Sequence, residues 1–302
     1  MSSFFKQLYR YTHPRSYRHN ESLWPHVKIS RAESGEIASL CYKKESIPII
    51  PLSVFRGTCT GDALLVATGP SVSKLCFDSI PDMPAIGVNG AYFLNEKVDF
   101  RFYLIVDMGF IDNRDDIVFD IISDNGLILF TTMHGVAKII DRFSMSAVRC
   151  QFSIVEDATC KIYHSKIERQ YLYEYYGEHD GVAFFEHNKS VAFSKDIRLG
   201  VFDAETVVYW ALQVIAYLGF ECLYIAGLDM SNFHMPRFYE TDNDKQPTTL
   251  PDKVSSVVIP AFRHASNIMK SKNITVKNLS LESAIDNDIF EKVDSGVVFK
   301  AS

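Results

Sequence analysis

Short runs of apolar residues, bounded by turn residues, dominate the first half of the chain. The clearest run is 63–67, which ends in Thr68-Gly-Pro-Ser71. Five apolar residues are too few for a stable buried helix, and a strand buried on both faces has this length. Gly permits a tight turn and Pro presets the next φ angle. The run therefore predicts a strand that turns sharply into a helix near Ser71, with Ser71 as the N-cap.

Similar runs follow and alternate with helical segments. Strands are predicted over 85–89, 99–107, 126–132, 221–229 and 274–279. Apolar groups at three- and four-residue spacing predict a buried helix that begins at Asp203, its N-cap, and stops at Gly219. A further helix is predicted over 257–270. Strands that alternate with helices form a mostly parallel sheet with helices on its faces, so the pattern predicts an α/β fold of Rossmann-like type.

Polar residues close three of the predicted strands. Ser71 lies just beyond the first strand, and Asn89 and Asp107 end the next two along the chain. Because the carboxyl ends of parallel strands lie at one edge of a sheet, we expect these side chains to line a ligand crevice. Backbone N–H groups exposed after the first strand also suit a phosphate. For each residue taken alone, a turn without a ligand is the alternative.

Residues 1–60 precede this pattern and form an N-terminal arm. Its first half mixes aromatic and basic side chains, including Phe4, Lys6 and Arg10. Rings at the headgroup level and cations near phosphates suit an anionic membrane surface, and an arm packed on the domain is the alternative. Residues 37–55 alternate apolar and polar groups and include prolines, which indicates an edge strand or ribbon.

The nucleotide-sugar domain is predicted over 61–290, and 291–302 form a polar tail. Within that domain, 140–195 are irregular and rich in tyrosine, phenylalanine and histidine. They suit a lid or an acceptor subdomain over the crevice, and packing around a long loop explains them equally well. Residues 234–251 are polar and contain prolines, which predicts a mobile loop.

Composition narrows the function classes. The chain has 302 residues, a formal net charge of -6, 47% hydrophobic and 23% charged residues, as in ordinary globular proteins. The negative charge argues against a nucleic-acid partner, for which a basic surface is expected. The six cysteines are scattered without a C-x-x-C pair, which favours reduced thiols. No secretory signal and no apolar stretch of about 20 residues is seen, so we expect a cytoplasmic protein.

The order of several motifs resembles one group of enzymes. T-G-P-S follows the first strand, V-N-G ends the second, and 226–229 (A-G-L-D) and 237–239 (R-F-Y) come after the buried helix. This order is similar to bacterial transferases of CMP-activated acidic sugars, which include the sialyltransferases of surface lipooligosaccharides. Matches at 193–200, 260–263 and 278–280 look most like the Kdo-III transferases, which add 3-deoxy-manno-octulosonic acid (Kdo) to the lipopolysaccharide core. The resemblance runs over 62–284.

This resemblance implies a fold, a donor and a set of site residues. The implied fold is a GT-A-like sialyltransferase variant with a lid-like insertion and a CMP-sugar donor over the strand ends. The implied reaction moves Kdo from CMP-Kdo to a lipopolysaccharide inner-core acceptor at the inner-membrane surface. The predicted donor-binding residues are Gly69, Pro70, Ser71, Asn89, Asp107, Thr206, Gly227 and Arg237. Tyr239 matches a loop tyrosine that reaches the leaving phosphate.

The implied chemistry agrees with these residue types. CMP leaves an anomeric carbon through an oxocarbenium-like transition state. Hydroxyls and helix N-terminal amides can stabilise the departing phosphate without a metal ion. No D-x-D dyad follows a predicted strand, and the acidic residues of 112–116 lie in a predicted helix, where a solvated face is the better interpretation. We therefore expect no metal and no cofactor besides the donor.

The chain departs from the family pattern at the general base. The sialyltransferases carry a histidine just before their last long helix, and 255–256 (Ser-Ser) fall at that position here. The predicted catalytic residues are Asp229, His264 and Tyr239, with His234 as a further candidate for the base. A core or surface role is the alternative for His264.

Two other functions stay open at this point. A sialyltransferase or another nonulosonate transferase of the same fold would share these motifs. A catalytically silent scaffold that binds nucleotide or glycan in envelope assembly is the alternative from a different class. Replacing Asn89 and Ser71 by alanine separates an enzyme from a scaffold, because only an enzyme loses turnover.

Overall fold

The computed structural model of the chain describes residues 3–300. The strands are β1 (Val27–Arg31), β2 (Ile37–Tyr42), β3 (Glu45–Ile47), β4 (Asp62–Val66), β5 (Ala85–Val88), β6 (Phe100–Ile105), β7 (Ile128–Thr131), β8 (Gln151–Ile154), β9 (Val182–Phe185), β10 (Asn188–Ser194), β11 (Cys222–Ala226), β12 (Thr275–Asn278) and β13 (Glu291–Lys292). The α-helices are α1 (Ser3–Thr12), α2 (Met108–Asn113), α3 (Asp115–Ser123), α4 (Met133–Phe143), α5 (Leu172–Tyr176), α6 (Val207–Leu218), α7 (Ile259–Ser271) and α8 (Ser295–Val298).

Eight strands form one parallel sheet in the order β13-β12-β11-β4-β5-β6-β7-β8. The sheet begins in its middle at β4 and extends outward to β8, and the chain then returns to add β11, β12 and β13 on the other side. The direction of growth therefore reverses between β4 and β11, which is the switch point where open α/β sheets bind ligands. The predicted α/β fold with a mostly parallel sheet is confirmed.

The apolar run 63–67 is buried on both faces of this sheet. Ala63 and Leu65 pack into the cluster that contains α6 and α7, whereas Leu64 and Val66 pack into the cluster that contains α2, α3 and α4. The alternation of side chains along a strand sends successive residues to opposite faces. Helices cover both faces, so the strand is apolar without interruption, as the sequence predicts.

The predicted helix at Ser71 is wrong in type and in cap. The chain forms a 3-10 turn at Pro70–Lys74 with Gly69 as its N-cap residue. Ser71 does not cap this turn because its N–H and its hydroxyl both donate to the carboxylate of Asp229. A long-range contact that local sequence cannot reveal therefore replaces the local cap.

The buried helix α6 begins later than predicted. Thr206 is its N-cap, and its hydroxyl accepts from the Val208 N–H at 3.4 Å. Asp203, the predicted cap, instead accepts from the indole N–H of Trp210 at 2.9 Å. The predicted stop at Gly219 is confirmed, since this residue has a left-handed φ of 104°.

The predicted insertion 140–195 contributes to the main sheet as well as to its surroundings. Its strand β8 is the edge strand of the main sheet. The rest of the insertion, which contains α5 and the antiparallel pair β9–β10, lies outside that sheet. The tail is also structured, because β13 pairs with β12 and α8 follows it. The strand 274–279 and the helix 257–270 are therefore present but are not the last elements of the chain.

The N-terminal arm forms α1 and a three-stranded antiparallel sheet, β1-β2-β3, which confirms the ribbon predicted for 37–55. Helix α1 buries Tyr9 and leaves Phe4 and Tyr11 exposed. Within residues 3–300, every helix is too short or too polar to cross a membrane.

One prediction concerns Gly227, which follows β11. Its φ is 75°, and a Cβ placed there would lie 2.5 Å from Cγ2 of Val72. We expect Gly227→Ala to lower the free energy of unfolding by roughly 3 kcal/mol, because left-handed strain and overpacking add. Gly61→Ala is the control, since Gly61 has a φ of 72° and nothing within 4 Å of its Cβ position. It should cost about 1 kcal/mol. Equal losses in urea denaturation would show that the close approach at Gly227 is not tight.

Candidate functional site

A cavity lies at the carboxyl ends of β4 and β11, at the switch point of the sheet. Its walls are the turn after β4, the loop after β11 and the N-terminus of α6. Of the predicted site residues it is lined by Gly69, Pro70, Thr206, Gly227, Asp229 and Arg237. The structure therefore brings together residues that are up to 168 positions apart in the sequence (69 to 237).

The carboxylate of Asp229 ties the two central strand ends together. Its Oδ2 accepts from the Ser71 N–H at 2.8 Å, and its Oδ1 accepts from the Ser71 hydroxyl. The Ser71 hydroxyl also lies 2.7 Å from that of Ser280, which follows β12. Asp229 is only 7% exposed, so little water competes for these hydrogen bonds. We call this group of three side chains the Asp229 cluster; it fixes the ends of β4, β11 and β12 relative to one another.

The glycine of the T-G-P-S turn is required by this close approach. The Gly69 N–H donates to the carbonyl of Gly227 at 3.0 Å. A Cβ on Gly69 would lie 2.5 Å from Oδ2 of Asp229 and 2.6 Å from the Gly227 oxygen. Any larger residue would push the turn away from the carboxylate. The motif glycines thus keep two backbone segments in contact at the floor of the cavity.

The N-terminus of α6 supplies partial positive charge to the cavity. Thr206 and Val207 line it, and the N–H groups of the first helical turn lack intrahelical acceptors. Arg237 and Lys245 also line the cavity, but the Arg237 guanidinium pairs at 2.5 Å with Glu240, whose side chain is 1% exposed. Such a helix end with a nearby lysine suits an anionic group such as a phosphate.

Tyr239 anchors the loop after β11 to the neighbouring strand end. Its ring stacks on Phe93 at 5.8 Å, lies 5.0 Å from the Arg114 guanidinium and packs directly on Gly90. Burial raises the pKa of Tyr239 to about 12. Its hydroxyl therefore stays protonated at neutral pH and acts as a hydrogen-bond donor, not as a base.

Asn89 directly follows β5, the strand beside β4. Its backbone carbonyl accepts from the Tyr103 hydroxyl at 2.6 Å, and its own φ is 46°. Its Oδ1 is buried and has no hydrogen-bond partner within the residues that the structure describes. Buried polar atoms are nearly always satisfied, so an unpaired amide oxygen at a strand end is the type of atom that a polar ligand pairs with.

Five of the predicted residues do not line the cavity: Ser71, Asn89, Tyr239, Asp107 and His264. Asp107 is exposed, lies two residues beyond β6 and caps α2 by accepting from the Gly109 N–H at 2.8 Å. His264 is 4% exposed on α7, where its Nε2 lies 2.9 Å from the Ala183 carbonyl and its ring is 5.6 Å from Phe185. Burial lowers the pKa of His264, so it is neutral at pH 7. The geometry matches a packing role.

The histidine considered as a loop base, His234, is exposed, and the cavity lining does not include it. Of the candidate bases, Asp229 alone lines the cavity. A carboxylate offers about four lone-pair sites, so Asp229 retains acceptor capacity beyond its two bonds to Ser71.

Three site residues were missed from the sequence. Ser280 lies in a motif that carried the resemblance, but its contact with Ser71 depends on the position of β12. Glu240 and Lys245 lie in an irregular polar loop, where no periodicity predicts which side chains turn inward.

The prediction of a solvated face for 112–116 holds for Asp112 and Asp116, which are exposed, but not for Arg114, which is 8% exposed. Asp112 pairs with Lys138, Asp115 with Arg142 and Asp116 with Arg114. Between residues 3 and 300 the histidine, cysteine and acidic side chains form no cluster of three that could hold a metal ion.

Comparisons with known proteins agree with the resemblance described from the sequence. A family model described as 3-deoxy-D-manno-octulosonic acid transferase WaaZ matches residues 179–295. A curated protein of Escherichia coli (strain K12), described as a probable 3-deoxy-manno-octulosonic acid transferase, is 23% identical over 251 residues, which cover 78% of this chain and 84% of that protein.

Two solved structures of the sialyltransferase CstII are also similar, at low sequence identity. The structure from Campylobacter jejuni with cytidine-5'-monophosphate gives a TM-score of 0.43 at 11% identity and covers 78% of this chain and 85% of that one. The structure with a trisaccharide acceptor and CMP gives 0.41 at 10% identity and covers 78% and 86%.

The family match includes Thr206, the A-G-L-D segment and the R-F-Y segment, and the curated relative extends the similarity over most of the chain. These matches confirm the predicted resemblance to the Kdo-III transferase family and support a glycosyltransferase.

Proposed function

We propose that the protein transfers Kdo from CMP-Kdo to a lipopolysaccharide inner-core acceptor. The observation that carries this proposal is the Asp229 cluster, which joins the T-G-P-S turn to the A-G-L-D segment at the switch point of the sheet. The family resemblance assigns both segments to CMP. The sugar is proposed from the family model and the curated relative, both described as Kdo transferases.

In this proposal the phosphate of CMP lies at the N-terminus of α6. Thr206 and the N–H groups behind it stabilise the negative charge that grows as CMP departs. Tyr239 keeps its proton, and its proposed role is to donate a hydrogen bond to the leaving group once the loop closes on the donor. Asn89 pairs its free amide oxygen with a donor hydroxyl or amine.

Entry of the donor requires the loop after β11 to move. The cavity holds about 120 Å³ of accessible space, below the roughly 300–1,000 Å³ of ordinary ligand sites. Met230 and Asn232, at the start of this loop, have φ angles of 49° and 54°, which non-glycine residues rarely adopt. The loop is therefore strained where it leaves the sheet, and we propose that it opens to admit the donor and closes on it.

Asp229 is the proposed general base. It lines the cavity, and its remaining lone pairs can accept the proton of the acceptor hydroxyl. Its bonds to Ser71 hold the carboxylate in one orientation. No metal has a part in this mechanism, because the helix terminus and hydroxyl groups carry the charge of a monophosphate leaving group.

Location is a further part of the proposal. Peripheral contact with the cytoplasmic face of the inner membrane would bring the cavity to its lipid-linked acceptor. The exposed Phe4 and Tyr11 of α1 supply apolar groups for such contact.

The reaction is tested with purified protein, CMP-Kdo and core acceptor in the presence of EDTA. We expect release of CMP and a Kdo-extended acceptor, with the same rate with and without the chelator. CMP-sialic acid is the parallel donor. Turnover of CMP-sialic acid alone would replace the sugar assignment with a sialyltransferase. Loss of activity in EDTA that Mg²⁺ restores would refute the metal-free mechanism, and CMP binding without any turnover would favour a scaffold.

The Asp229 cluster is tested by substitution. Asp229→Asn removes the charge that both Ser71 groups contact, and we expect kcat/KM to fall at least a hundredfold, because positioning and proton transfer are both lost. Ser71→Ala should raise the KM for CMP-Kdo about tenfold, since one charge-assisted hydrogen bond is lost. Ser73→Ala is the control, because Ser73 lies exposed in the same turn. Steady-state kinetics in which all three variants match the wild type would exclude this site.

A further inference from the structure

A second cavity lies at the same edge of the sheet, beyond the carboxyl end of β8. It holds about 430 Å³ of accessible space and is formed between the N-terminal arm and the segment that follows β8. The arm contributes Tyr17 and Arg31, and the other wall contributes Lys161, His164, Tyr175 and His179. The donor cavity and this second cavity share no lining residue.

The two walls are tied together by hydrogen bonds between distant parts of the chain. The Arg31 guanidinium donates to both carboxylate oxygens of Glu156, at 2.5 and 2.8 Å, and to the Ile162 carbonyl at 3.0 Å. The Lys166 N–H donates to the Ser16 carbonyl at 2.8 Å, and the Tyr163 hydroxyl donates to that of Val27 at 2.7 Å. The cavity is therefore preformed by tertiary contacts and is not a gap between loose segments.

Lys161 carries the free charge of this cavity. Glu156 is neutralised by Arg31 in a bidentate pair, whereas the Lys161 ammonium has no carboxylate within salt-bridge distance among residues 3–300. The ammonium lies 5.8 Å from the centre of the Tyr176 ring. Burial lowers the pKa of Lys161, so a bound anion would stabilise its charged form.

Aromatic rings complete the lining. Tyr175 is 61% exposed at the rim, and Tyr17 is partly buried on the opposite wall. Exposed tyrosines offer an apolar face and a hydroxyl together, which suits a polar ligand with C–H faces, such as a sugar ring. A single free cation between such rings matches an acidic saccharide better than a purely hydrophobic ligand.

We infer that this cavity binds the acidic part of the acceptor saccharide, with a phosphate or carboxylate on Lys161 and sugar rings against Tyr17 and Tyr175. The inference rests on the proposed function and adds a site for the acceptor. β8 is four strand spacings from β4, or about 19 Å. An acceptor that occupies both cavities is therefore an extended oligosaccharide and not a single sugar.

The test is calorimetric binding of deacylated inner-core oligosaccharide, without any donor, to the wild type and to Lys161→Met. The substitution keeps an unbranched apolar side chain beside Tyr176 and removes the charge. We expect the Kd to rise about tenfold, because a charge-assisted hydrogen bond is lost. Lys161→Arg should restore most of the binding. Lys166→Met is the control, since Lys166 lies in the same segment and pairs with Glu168 at 3.2 Å; its Kd should stay within about twofold of wild type.

Two further measurements complete the test. The same oligosaccharide after dephosphorylation separates the two anion sources: weakened binding assigns phosphate to Lys161, and unchanged binding assigns a Kdo carboxylate. CMP binding to each variant reports whether the fold and the donor cavity are intact. If Lys161→Met fails that check, Tyr175→Ala takes its place, because this exposed ring can be removed without opening the core.

The inference is overturned if the wild type does not bind the oligosaccharide, or if a folded Lys161→Met or Tyr175→Ala variant binds it as well as the wild type does. These results differ from failure of the proposed function. Turnover with an unchanged acceptor KM in Lys161→Met would retain the transferase and remove the second site. Charge-dependent binding without turnover would retain the site and remove the transferase.

Discussion

The hydrogen bonds between Asp229 and Ser71 are the interaction on which the site depends. A buried carboxylate at the end of β11 accepts both the N–H and the hydroxyl of the turn after β4. Gly69 and Gly227 permit this contact because a Cβ at either position would collide with the opposite segment. The switch point of the sheet would otherwise separate the two loops. The carboxylate joins these two loops, which form the floor of the cavity. The N-terminus of α6 forms one side of the cavity.

The rest of the structure is arranged around that floor. The loop after β11 is attached through Tyr239 to the end of β5, while its first residues adopt left-handed φ angles. These first residues are the proposed hinge of the loop. The arm and the segment after β8 build the second cavity on the far side of the same sheet edge. The donor would then bind at the middle of one row of strand termini and the acceptor at its β8 end, as expected for a fold that holds its ligands at the carboxyl ends of its strands.

The sequence predicts six of the eight strands of the main sheet, because each of these is a short apolar run closed by Gly, Pro or a polar residue; β8 and β13 were missed. The parallel sheet and the stop of α6 at Gly219 follow from the same pattern. The predicted cap of α6 is wrong because Asp203 accepts from the buried indole of Trp210 instead of capping the helix. The predicted helix at Ser71 is wrong because Ser71 donates to Asp229, which is remote in the sequence. Lys245 and Lys161 gave no local signal, and the motif at 278–280 did not reveal the contact of Ser280 with Ser71, since these positions depend on tertiary packing. The sequence places His264 on a helix, but its burial follows only from the packing of α7 on β9.

A crystal structure with CMP bound tests the central claim most directly. The account predicts CMP between the T-G-P-S turn and the A-G-L-D segment, with its phosphate at the N-terminus of α6 within hydrogen-bond distance of Thr206. Asn89 Oδ1 should gain a partner, and the loop after β11 should have shifted relative to its present position over the cavity. CMP located in the second cavity, or a phosphate remote from α6 with the Asp229 cluster uninvolved, would contradict the account.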